Sequence, residues 1–299
     1  MTELALLETL LNHGWGYHHK ESDRLARELE AAVGESVAPG LLASFLHLST
    51  HTIGEHLGDW PRALAVLDGQ MPVLETANAW GRLYVAAVLA GDSLQAADLE
   101  LSYLKAAGDD FGAALLDMRF MLAGALVGSK RAGEGARLYR RALDLVSQVR
   151  HSALIDRTIA VASNNLGWEL YEMSSRTPDE DVLMQFSAET SLKFWLKCGT
   201  WINAERGHYL NALVANVTGD PESGLAHADA ALAVIAANGE RLLDAALLHL
   251  ARAVSLVDLG DPDGWAHAIA DADAAAAKLV ATDLKTRFAA ERARVAARH

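Results

Sequence analysis

The chain has 299 residues, 51% of them hydrophobic and 22% charged, with a formal net charge of −13. That charge disfavours a nucleic-acid partner, whose phosphates need clustered lysine and arginine; an acidic solubilising surface or a basic partner fits it. The single Cys198 excludes an intrachain disulfide and fits a cytoplasmic protein. The first residues carry acids where a secretory signal would carry Lys or Arg. Apolar runs such as 83–90 stop at turns short of the ~18–20 residues that span a bilayer, so no membrane segment is expected.

Alanine, the best helix former, is abundant, and few segments show the alternation that strands need. In chain order the pattern predicts seven helical hairpins: 2–20 with 23–33, 40–57 with 60–71, 73–90 with 93–107, 109–127 with 133–149, 152–174 with 179–198, 200–218 with 221–237, and 240–259 with 262–280. A last helix covers 283–297. The connections are short, so successive helices are expected to run antiparallel as neighbours. No Gly/Ser-rich or Pro-rich linker divides them, and 1–299 reads as one domain. Lys285, Arg287, Arg292 and Arg294 give the last helix the polar face that an end cap needs.

A Gly-Asp turn recurs between the helices. It stands at Gly58-Asp59-Trp60, Gly91-Asp92, Gly219-Asp220-Pro221 and Gly260-Asp261-Pro262. Gly58 and Gly91 are 33 residues apart, Gly219 and Gly260 41. A recurring turn at such spacing predicts an all-α solenoid of stacked hairpins.

The residues around these turns resemble the tetratricopeptide repeat family. Gly14 with Tyr17 and Ala26, Trp80 with Leu83 and Ala96, Tyr139 with Ala142, and Leu166-Gly167 with Tyr171 stand as fragments of its pattern. The repeats are degenerate: no unit carries the whole pattern and the spacing drifts. The resemblance implies a right-handed superhelix whose first helices line a concave groove. Such a groove binds a peptide or a partner protein and rarely performs chemistry.

Within that frame Asn165 and Trp168 fall on the first helix of the fifth hairpin, and Arg206, Tyr209 and Asn211 on that of the sixth. Asparagine can donate to and accept from a peptide backbone, arginine can pair a carboxylate, and the aromatics can anchor an apolar group. These five residues are the candidate peptide-binding set. The competing account is that the asparagines bond helix to helix.

His47, His51 and Glu55 share one face at i, i+4 spacing and could hold a divalent metal. His13, His18 or His19 on the preceding hairpin could add a ligand. Counted back from their turns, however, His208 and His249 occupy the position of His47, which favours a packing role for the imidazole. No cofactor and no metal are therefore expected. Catalytic signatures such as Gly-x-Ser-x-Gly, a phosphate-binding glycine loop and His-Glu-x-x-His are absent from the sequence. The sequence thus predicts a non-enzymatic scaffold for a protein or peptide of unknown identity. The alternatives are a ligand-responsive regulatory domain and a metal-binding protein built on His47 and His51. The two ends of the array and aromatics such as Trp201 and Trp265 leave a homodimer open.

Overall fold

The computed structural model describes residues 3–32, 37–68, 70, 77–150 and 152–297. The predicted helix ends at 33, 71 and 73–76 lie outside them. The described chain is all-α, as the composition requires. Its helices are α1 (Glu3–Gly14), α2 (Ser22–Ala32), α3 (Pro39–Ser49), α4 (Trp60–Asp68), α5 (Ala77–Ala90), α6 (Ser93–Ala107), α7 (Phe111–Gly128) and α8 (Ala132–Leu145). They continue with α9 (Ala153–Glu172), α10 (Pro178–Cys198), α11 (Trp201–Val217), α12 (Pro221–Asn238), α13 (Leu242–Asp258), α14 (Pro262–Ala277) and α15 (Thr282–Ala296). Sequential pairs such as α5/α6, α7/α8, α11/α12 and α13/α14 pack as hairpins.

The Gly-Asp turns form as a helix stop joined to a helix start. Gly58, Gly91, Gly219 and Gly260 take φ values of 69°, 85°, 81° and 75°, the left-handed region where a side chain is strained. Each following aspartate caps the next helix, its carboxylate accepting the backbone N–H of Arg62, Gln95, Ser223 or Gly264 at 2.8–3.1 Å. The α7–α8 turn stops its helix in the same way with Lys130 at the left-handed position, φ 62°, but Arg131 follows in place of a capping aspartate. The α9–α10 loop is closed differently. Arg176 donates to the carbonyls of Leu170, Tyr171 and Met173 and pairs with Asp181, while Thr177 and Glu180 form a capping box.

Internal contacts divide the chain into two compact units, Met1–Thr158 and Ile159–His299. The sequence, read as one array over 1–299, shows no linker because the division falls inside α9. In the first unit the core joins Leu25, Leu29, Phe45, Leu46, Leu83, Leu99 and Met118. α7 is apolar and long enough to cross a membrane by composition alone, but it carries Asp117 and Arg119 and most of its apolar window is buried, which is the character of a core helix. In the second unit α13, α14 and α15 share a core of Leu247, Leu250, Ile269, Ala272 and Phe288. The family-like positions pack as their types suggest: Ala26, Leu83 and Ala142 are fully buried. A Cβ on Gly14 would stand 2.8 Å from Leu48, and one on Gly167 3.1 Å from Leu210.

Two elements depart from the predicted pattern. The expected helix over 2–20 stops at Gly14, and residues 15–20 form the turn into α2. The expected helix over 40–57 is α-helical only to Ser49, and Thr50–His56 continues it as a π-helix. Its bonds reach one residue further back, with Leu57 N–H donating to Thr52 O at 3.2 Å. Gly54 lies in this segment beneath the Trp60 ring; a Cβ there would meet the ring at 2.5 Å. The indole is buried, and its N–H donates to Ser129 Oγ at 3.1 Å.

Candidate functional site

The π-helical segment determines which histidines meet. Residues five apart stand about 140° apart round an α-helix, so His51 and His56 would face different directions. With i→i+5 bonding five residues make nearly one turn, and the two rings share a face. Their Nε2 atoms are 3.1 Å apart. The tight α1–α2 connection delivers His18 to the same place, and one ligating nitrogen from each of His18, His51 and His56 lies within 4.8 Å of the others.

Two of the cluster's Nδ1 atoms have acceptors. His18 Nδ1 bonds Trp15 O at 2.7 Å, and His51 Nδ1 pairs with the Glu55 carboxylate. Each acceptor requires the proton on Nδ1, so in the neutral ring Nε2 carries the lone pair. His18 is buried, whereas His56 reaches solvent. Trp15 covers one flank, its ring 5.2 Å from that of His18 and 4.9 Å from that of His47. Burial brings the His18 imidazole below its ordinary range. Burial also brings His56 down to about 4, reinforced by repulsion from His51, His19 and His18.

Behind the histidines runs a chain of buried charge. Burial pushes the Glu55 carboxyl up, but the His51 hydrogen bond and the charges of His51 and Arg82 outweigh it, and the net shift is down. Arg82, on α5, is itself pulled down by burial against the favourable charges of Glu55 and Asp117. On α7, burial raises the Asp117 carboxyl although Tyr103 Oη donates to it at 2.7 Å. The first helices of three successive hairpins thus carry an acid–base–acid row that starts at the histidines.

Of the pair singled out in the sequence, His51 enters the cluster and His47 stays at its edge, exposed, its ring 6.4 Å from that of His51. Of the three candidates for an added ligand, His18 joins the cluster; His19 is exposed, its ring 3.8 Å from that of His18 and 4.5 Å from that of His56, and His13 is exposed. His56 was not legible as a partner because the sequence pattern assumes the α-helical period. The register equivalents of His47 behave differently. His208 Nδ1 meets His227 Nδ1 at 3.0 Å, and His249 Nδ1 lies 3.9 Å from Asp271.

The five residues proposed to bind peptide have separate fates in the second unit. Tyr209 lines a cleft of about 150 Å³ with Tyr171, Leu213, Leu247, Val254, Glu291 and others. Trp168 adjoins it, its ring 6.0 Å from Tyr209 and edge-on to Tyr171 at 5.6 Å. Arg206 is exposed, its guanidinium 3.9 Å from Asp244. Asn165 is exposed, 3.4 Å from the Asn164 amide. Asn211 is buried, and its amide donates to Ala188 O at 2.9 Å and Gly207 O at 2.8 Å. Its donors therefore tie α11 to α10, the helix-to-helix account. Asn216, with its amide on Ala251 O, does the same between α11 and α13.

Sequence patterns missed Glu205. It is 1% exposed, and neither carboxylate oxygen has a hydrogen-bond partner among the described residues. Burial, with the charge of Asp244, raises this carboxyl to about 7. A glutamate in the first turns of a helix usually reads as solvated, so nothing in the local pattern signals it. A further cleft of about 210 Å³, lined by Asp109, Asp110, Phe111 and Arg150, contains none of the candidate residues.

No family model and no curated protein matches the chain. Among solved structures it is similar to BtubC (BKLC) from P. vanneervenii, with 13% identity over 81% of this chain and 92% of that one, at a TM-score of 0.48. It is also similar to the apo form of the quorum sensor NprR from B. thuringiensis, with 11% identity over 89% of this chain and 86% of that one, at a TM-score of 0.37.

Proposed function

We propose that the chain is a non-catalytic, tetratricopeptide-like binding module that holds a peptide or protein segment in its second unit. The observation that carries this reading is the cleft between α9, α11, α13 and α15. Tyr171, Tyr209, Leu213, Leu250 and Val254 give it an apolar lining, with Glu291 and Arg294 among the residues at its edge. A cavity of about 150 Å³ accommodates a benzene-sized group, so the cleft suits one leucine or phenylalanine anchor. Aromatic and apolar anchors in such clefts dominate peptide affinity, and opposite charges beside them can orient a backbone. Trp168 and Arg206 extend the surface along the same first helices; Asn211 supports it from within.

Selection of a random peptide phage library on the purified chain tests the proposal. Enriched peptides should share an apolar anchor. Their affinity should fall at least tenfold in Val254→Trp, which fills the cleft, and in Tyr209→Ala, and stay unchanged in the exposed control Glu222→Ala. Failure to enrich any peptide, or equal binding by a Val254→Trp variant of normal melting temperature, overturns the assignment.

A further inference from the structure

We propose that His18, His51 and His56 form a binding site for a divalent metal of the zinc class, separate from the peptide cleft. Three imidazoles are the donor set that suits zinc and its neighbours, with water completing four-coordination. Zinc–nitrogen bonds of about 2.0–2.1 Å put two ligand nitrogens about 3.3 Å apart across a tetrahedral edge. His51 Nε2 and His56 Nε2 stand at 3.1 Å, and His18 has a ligating nitrogen in the same small volume. The approach needs little movement: three ring nitrogens already converge.

The outer contacts point the same way. Metal-bound histidines characteristically donate their other ring N–H to a carboxylate or a backbone carbonyl, which orients the ring and sets the tautomer. Glu55 does this for His51 and the Trp15 carbonyl does it for His18. Both bonds leave Nε2 free in the neutral ring, and that of His51 faces His56 Nε2 at 3.1 Å. A purely structural imidazole at a repeat position needs one satisfied partner. It does not need three rings facing one another, nor a π-helical segment to bring the third within reach. Exposed His56 gives a metal its entry path, and the half-buried carboxylate of Glu55 offsets part of the cation's charge.

The test uses the full chain, stripped with EDTA and titrated with zinc chloride against a chromogenic chelator. The expected result is one equivalent of zinc. Affinity should fall at least tenfold in His56→Ala and His51→Ala, and about 10- to 100-fold in Glu55→Gln, which removes only the outer contact. His13→Ala, an exposed histidine outside the cluster, should bind as wild type. Because His18 is buried, the decisive variant is the solvent-facing His56→Ala, checked for an unchanged helical circular dichroism spectrum. Absence of stoichiometric binding, wild-type affinity in His56→Ala, or an equal loss in His13→Ala overturns the site. Replacement by cobalt adds a spectroscopic readout. Intense visible bands of a four-coordinate ion support it, and the weak bands of a six-coordinate aquo ion overturn it.

Discussion

The α3–α4 and α11–α12 hairpins carry the same turn in the same register, yet they use it differently. In the second unit Asp220 N–H bonds Ala215 O, five residues back; in the first, Asp59 N–H bonds Ile53 O, six back. The first helix of the earlier hairpin has accommodated one more residue per turn. Beside the turn, Pro221 opens α12, whereas Trp60 opens α4 and lays its ring on the preceding helix. The position four before the turn glycine is accordingly Gly54 in one hairpin and Ala215 in the other, with Ala87 and Leu256 at the remaining two Gly-Asp turns. Three before the turn, Glu55 holds a histidine, while Asn216 donates to Ala251 O and accepts from Ser255. Identical turns stop helices alike; the large residue after the turn decides what the helix before it can be.

The largest expected effect tests that statement. Gly54→Leu should destabilise the protein by about 3 kcal/mol in urea titration, since the new side chain meets the Trp60 ring in a packed interior. Ala215→Gly at the equivalent place should cost only about 1 kcal/mol of helix propensity. Equal effects would erase the distinction between the two hairpins.

A smaller effect separates how the units treat buried acids. Glu55 has the His51 hydrogen bond and Arg82 nearby; Glu205 has no hydrogen-bond partner among the described residues. The Glu205 carboxyl is raised from its ordinary 4.5 to about 7, so the folded chain keeps a proton that the unfolded chain loses across that interval. Stability therefore falls as pH rises from about 4.5 to 7 and is level above it. Glu205→Gln removes this cost. The variant should be more stable than wild type by about 2 kcal/mol at pH 8 and should match it near pH 4.5. A stability difference that does not change with pH would show that Glu205 is solvated.

The smallest effect concerns the turns. Lys130 is the one described non-glycine residue with positive φ, at the helix stop that Gly219 and Gly260 occupy in their turns. Lys130→Gly should raise stability by about 1 kcal/mol, through relief of left-handed strain. A loss of stability would mean that the lysine side chain makes up for its backbone.

The stacked-hairpin class was legible because it rests on local chemistry. Gly-Asp turns, aspartate caps and alanine-rich faces act within a few residues, and each formed where the sequence placed it. The placement of the candidate residues was legible only in part. Tyr209 lines the second unit's cleft and Trp168 adjoins it, as aromatics on neighbouring first helices suggest. Asn211 was misleading because an amide that could grip a peptide can equally grip the next helix, and burial, which decides between them, is a tertiary property. The His51–His56 pair was hidden for a different reason. Its signal is a change of helical period in the segment where Gly54 lies beneath Trp60, and any reading that holds the period constant puts the two rings on different sides. Glu205 left no trace because burial of a charged residue follows from neighbours distant in sequence.

The π-helical segment makes the histidine cluster depend on helical period rather than on composition. A substitution that returned residues 50–56 to α-helical bonding at unchanged length would set His51 and His56 about 140° apart while every imidazole remained in the sequence. The turn at Gly58 and the cap at Asp59 would still stop one helix and start the next. Chains of this architecture can therefore gain or lose such a cluster through the bonding of a single helical turn, with the stack of hairpins left in place.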